Sequence, residues 1–144
     1  MTKTIQTSRF GSLEIEEDKI ITMTTPFLGF AAERYFILLP HGPGSVFWWL
    51  QAVDNPDLAF VVIQPAIINP NYHPAIPSPL HTELHAHNEG DLEVLVILTI
   101  PKGQPEAMTA NLLGPVILNP TQKLAKQILL DPSLYSPCWP IILE

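Results

Sequence analysis

The chain has 144 residues, enough to bury one core without disulfides or metals, and its single cysteine, Cys138, excludes an intrachain bridge. Hydrophobic residues make up 47% and charged residues 15%, so the core is large or some apolar surface is kept for a partner. A formal charge of −7, with seven Lys and Arg scattered along the chain, argues against a nucleic-acid-binding face.

The polar N-terminus carries no apolar signal segment. The apolar runs 60–68 and 92–100 are far shorter than the ~20 residues a membrane span requires. The expectation is one cytoplasmic domain over residues 1–144. Sixteen prolines and seven glycines leave little room for long helices, since an interior proline costs ~3 kcal/mol. Short strands fit instead. Residues 4–10 and 13–15 flank a turn expected at Gly11-Ser12, and 20–23 follows the acidic stretch Glu14 to Asp18. Residues 35–39 and 47–53 are rich in aromatic and β-branched side chains and are parted by the turn set Pro40 to Gly44. Further strands are expected at 59–63, 92–100, 116–118 and 127–130.

Residues 69–90 break the rhythm. Four prolines make the first half irregular; Ser78-Pro79 then reads as an N-cap followed by a first-turn proline, with Leu80 and Leu84 one turn apart. The spacing predicts one short helix near 79–87. The fold class is therefore all-β: a small closed or partly open antiparallel β-barrel-like domain with that helix added.

Catalytic motifs are missing from the sequence: it has no phosphate loop, dinucleotide fingerprint, nucleophile elbow or HExxH. His81 and His85, with Glu83 and His87 nearby, have helical spacing for a shared face, but no fourth ligand completes a zinc set, and a solvated polar face is the plainer reading. Cys138 has no basic neighbour in sequence to activate its thiol. Asp54 and Asp57 around Asn55-Pro56 are two carboxylates three apart, suited to acid–base work or, more simply, to a turn. Phe47-Trp48-Trp49 lacks basic neighbours and reads as strand core or apolar contact patch. No cofactor, metal or enzymatic activity is expected.

Three segments resemble the FliW family of flagellar assembly factors. They are Trp49 to Pro65, around Asp54-Asn55-Pro56-Asp57-Leu58-Ala59-Phe60-Val61-Val62; Met108-Thr109-Ala110-Asn111-Leu112-Leu113-Gly114-Pro115; and Lys126 to Leu130 with Tyr135-Ser136. Thr7 to Gly11 and Lys19-Ile20-Ile21 sit where the family has similar residues, so the likeness runs nearly end to end. The chain departs from it at Thr25 to Phe30, across 69–90, and in the Pro137-Cys138-Trp139-Pro140 tail. The resemblance implies a β-barrel-like binding protein with two partners: flagellin, and the translational repressor CsrA, the carbon storage regulator. Sequestering CsrA would relieve repression of flagellin translation. Asp54, Asp57, Met108, Asn111 and Leu112, within the resembling segments, are the candidate partner-binding residues. The other reading is a small-molecule-binding or catalytic barrel with 69–90 as its lid.

Overall fold

The structure, a computed structural model, describes residues 1–27 and 29–141. Its strands are β1 (Thr2–Thr7), β2 (Gly11–Glu16), β3 (Ile21–Met23), β4 (Tyr35–Pro40), β5 (Trp48–Ala52) and β6 (Ala59–Ile63). They continue as β7 (Glu93–Thr99), β8 (Thr109–Ala110), β9 (Val116–Asn119), β10 (Leu124–Gln127) and β11 (Trp139–Pro140), with one α-helix, α1 (Ser78–Glu83), among the described residues. Seven strands close into a barrel in the order β3-β4-β5-β6-β7-β9-β10 and back to β3. The fold is the expected barrel, antiparallel throughout except where β10 runs parallel to β3. No helix among the described residues is long and apolar enough to cross a membrane.

Each barrel strand points alternate side chains inward. Ile21, Phe36, Leu50, Ala52, Val62, Leu95, Val116, Leu118 and Ala125 form the interior. Many of the intervening residues are apolar too, because three covers bury parts of the outside. The β1–β2 hairpin lays Ile5 and Ile15 on Ile37 and Val53. Helix α1 sets Leu80 and Leu84 on Ile117. The segments around Tyr72, Leu112 and Ile141 cover Ile63, Val96 and Leu98. In the run Phe60-Val61-Val62-Ile63 the last two residues are buried on opposite faces, and Phe60 and Val61 are half-buried.

Several boundaries differ from expectation. The first hairpin turns at Ser8-Arg9-Phe10, since Thr7 pairs Gly11. The Thr7 hydroxyl accepts from Phe10 N (2.8 Å) and donates to Gly11 O (2.9 Å), and Gly11 opens the return strand at φ +70°. The last barrel strand is Leu124–Gln127 rather than 127–130. The tight turn Pro120 to Lys123, with Lys123 at φ +57°, starts the pairing at Leu124 opposite Asn119, so Ile128 and Leu130 already lie outside the barrel. The helix begins at Ser78 after Pro77, with no side-chain cap, and stops early because His85 turns to φ +56°. His81 and His85 therefore share no helical face. The two-residue strands β8 and β11 had no sequence signal of their own.

Glu83 fastens α1 to the barrel: it accepts from the Thr24 hydroxyl and from Lys126 Nζ (3.1 Å). The Thr24 bond chiefly, with Lys126 behind it, holds the Glu83 carboxyl below its ordinary 4.5. A depressed carboxylate stabilises the fold above its unfolded pKa and loses that contribution as pH falls through the folded one. Its side chain is 36% exposed, so solvent screening keeps the gain at or below about 1 kcal/mol. Glu83→Gln should therefore be the less stable protein in urea at pH 7, with the difference starting to shrink near pH 4.5 and vanishing only below the lowered folded pKa.

Candidate partner-binding groove

Strand β7 has a forked edge. Its first half, Glu93 to Leu95, pairs with β9 and closes the barrel. Its far end, Leu98 and Thr99, pairs with β8 instead. The chain must cross from the outer strand to the inner one between Asn111 and Gly114, and Asn111 makes that crossing. Its backbone N–H donates to Ile97 O (2.9 Å), and its side-chain oxygen accepts from Leu113 N (3.1 Å) and Gly114 N (2.8 Å). A Cβ on Gly114 would lie 3.0 Å from Gln127 Nε2 and 3.1 Å from Asn111 Nδ2, so glycine keeps the crossing tight.

Leu112, buried at 2% exposure, donates its N–H to Ser136 O (2.9 Å) and so ties the C-terminal segment to the crossing. Its carbonyl accepts from the Tyr72 hydroxyl at 2.8 Å. Burial first, and the neighbouring Tyr135 second, push the Tyr72 hydroxyl pKa well up, leaving it a neutral donor. The two tyrosine rings meet edge-on with centroids 5.4 Å apart. Above them runs an open groove of about 530 Å³ between loop residues Asn69 to Tyr72 and the returning segment 132–139. Leu134 is 72% exposed and Trp139 40%. Asp131 fixes the turn that presents Leu134: its carboxylate accepts from Ser133 Oγ (2.7 Å) and Ser133 N (2.9 Å), which holds its pKa below the usual carboxylate range. Beyond Trp139, β11 is the outermost strand of the sheet. The groove thus offers apolar side chains beside a strand edge, which suits an extended or amphipathic segment.

Met108 sits at the back of this region, half-buried, with its carbonyl accepting from Ile141 N (3.2 Å). Met108, Asn111 and Leu112 therefore lie together, with only Leu112 lining the groove itself. Asp54 and Asp57 lie apart, in the β5–β6 loop, and are exposed. Asp57 accepts from the Ser8 hydroxyl and lines a separate small cavity with Ser8, Arg9 and Gln51. That loop is pinned from below by buried Gln51, whose Nε2 donates to the carbonyls of Ala52 and Leu58 at 3.1 Å each. Trp49 carries Arg9 over its ring at 4.1 Å and stacks on His41. Among the described residues no three His, Cys, Asp or Glu side chains gather as metal ligands.

Sequence reasoning passed over Leu134, Trp139 and Tyr72. The departure at Pro137 to Pro140 was the one signal that this tail is peculiar to the chain. Asn111→Ala orphans two N–H groups and should lower unfolding free energy by about 1–2 kcal/mol. Leu134→Ala should change it by less than about 0.5 kcal/mol. Urea denaturation reads both.

The family described as FliW protein matches residues 3–141. A flagellar assembly factor FliW of Magnetococcus marinus is 41% identical over 138 residues, 96% of this chain and 84% of that protein. One from Natranaerobius thermophilus is 36% identical, covering 95% and 91%. A crystal structure of the flagellar assembly factor FliW superposes with a TM-score of 0.88 at 31% identity and covers 99% of both chains.

Proposed function

Since the chain belongs to the FliW family of flagellar assembly factors, we propose that it works in the cytoplasm as a two-partner binding protein for flagellin and CsrA. The match over residues 3–141 carries this reading. Free protein would sequester CsrA and relieve repression of flagellin translation. Flagellin, as it accumulates, would capture the protein and release CsrA. No bond is made or broken; the output follows from mass action between competing complexes.

The groove supports a terminal segment of flagellin as its occupant, because segments that fold on binding need apolar pockets and a backbone edge together. Leu134, Trp139 and Leu112 would supply the apolar contacts. Met108 and Asn111 would act from behind, Asn111 by holding the crossing that shapes the groove. The exposed carboxylates Asp54 and Asp57 lie apart from the groove and would make polar contacts to a partner at the β5–β6 loop.

In calorimetry, full-length flagellin should form a one-to-one complex, and a terminally truncated flagellin should not. Leu134→Ala should weaken the complex by about tenfold or more, as truncation of a groove anchor does. Equal affinity for both flagellin forms would remove the terminal segment from the proposal.

For CsrA, the acidic charge is expected to act on the encounter. Two clusters are exposed: Glu14, Glu16, Glu17 and Asp18, and Glu89 with Glu93. Asp91, between the last two, turns its carboxylate to the backbone N–H of His87 and Asn88, which lowers its pKa and commits it locally. Added salt should slow association and leave dissociation nearly unchanged, since screening shortens the reach of exposed charges to about 8 Å at physiological ionic strength. Stopped-flow kinetics at two salt concentrations, with charge-to-Gln variants of each cluster, measure this. An association rate indifferent to salt would mean an apolar encounter.

A further inference from the structure

The two ends of the barrel are built differently. One is plugged by aromatic side chains: Phe27 meets Phe36 at 5.3 Å and Phe60 at 4.9 Å between centroids, and Phe30 closes on Phe60 at 5.5 Å. The cavity toward the other end is lined by aliphatic side chains and lysines. Ile21 at the start of β3, Leu38 near the end of β4 and Leu118 near the end of β9 line an open cavity of about 210 Å³. Ile21 and Leu118 belong to the barrel interior, and Leu38 packs against it.

Two lysines stand at this opening, Lys19 and Lys123, with Pro120 between them and the apolar floor below. Lys123 is held by the β9–β10 turn, at φ +57°, and donates one N–H to Pro120 O, leaving two for a ligand. Lys19 ends the short 3-10 turn Glu17–Lys19 and makes no ion pair among the described residues. Glu17 and Asp18 precede Lys19 in its turn, but the charged side chains that line the cavity itself are the two lysines.

The geometry points to a binding site for a small aliphatic carboxylate. A bare inorganic anion gains nothing from the apolar floor, where desolvating it is costly. A neutral hydrocarbon makes no use of the lysines, and an alkylammonium is repelled by them. A short alkyl chain bearing one carboxylate matches both halves, its chain against Ile21, Leu38 and Leu118 and its charge between the two ammonium groups. The volume of about 210 Å³, backed by buried Met23 and Phe36, matches a short chain. This site is separate from the groove at Leu134.

The test is a methyl-resolved NMR titration of the full chain with hexanoate, hexan-1-ol and hexylammonium, and with a peptide ending in a free Leu carboxylate. Hexanoate is expected to shift the Ile21, Leu38 and Leu118 methyls saturably, with hexan-1-ol weaker and hexylammonium without effect. The double variant Lys19→Gln, Lys123→Gln changes one exposed and one half-buried side chain, neither in the core, and circular dichroism checks that it folds. It should weaken hexanoate by about tenfold and leave hexan-1-ol unchanged. Equal binding of acid and alcohol, or hexanoate binding untouched by the variant, would overturn the site. So would a response to the peptide carboxylate without one to hexanoate, which would make the opening a receptor for a polypeptide terminus.

Discussion

The pairing of β7 with β9 is the constraint from which the rest of the molecule follows. A seven-strand sheet left open would expose two edges; joining Glu93-Val94-Leu95 to Val116-Ile117-Leu118 removes both from the barrel. That join occupies only half of the β7 edge. The other half is free to bind β8, so the chain must leave the outer ladder and enter the barrel within four residues. Asn111 and Gly114 are the means: one supplies a side chain that satisfies the N–H groups of the crossing, the other lets Gln127 approach and donate to Gly114 O at 2.9 Å.

Closure also decides what the outside looks like. A barrel this narrow holds few interior side chains, so much of the apolar content must be buried on the outer face, under the hairpin, α1 and the C-terminal segment. These covers are tied down by local polar contacts. Asn119, 2% exposed, donates to Leu84 O at 2.9 Å while its oxygen accepts from Thr121 N and Gln122 N, linking helix end, barrel strand and turn in one side chain. Glu83 does similar work from the helix side.

The two openings of interest arise where the covers end. The groove at Tyr72 and Tyr135 lies along the margin of the C-terminal segment, where Leu134 and Trp139 face solvent beside the last strand. The cavity at Lys19 and Lys123 lies away from the Phe27, Phe36 and Phe60 cluster. Both openings are built on segments tied to a closed barrel, and a preformed site lowers the ordering cost of binding.

The sequence by itself determined the class of fold and much of its parts. β6 was legible to the residue, because Ala59 to Ile63 is β-branched, aromatic and bounded by Asp-Asn-Pro-Asp and Gln-Pro. The family was legible too, since Met108 to Pro115 is a run whose identity survives without any knowledge of contacts. What the sequence left open was register and exposure. Ile128 to Leu130 reads as strand on local propensity, yet pairing with β3 and β9 shifted the strand to Leu124–Gln127. β8 and β11 exist only because β7 has an unfilled edge for them. The chain alone did not show that the Asn111 side chain holds a turn or that Leu134 is among the most exposed apolar side chains. Periodicity and propensity report on neighbours along the chain. Which edge is free, which face a cover reaches and which leucine remains in water are set by residues far away in sequence, and only the closed barrel brings them together.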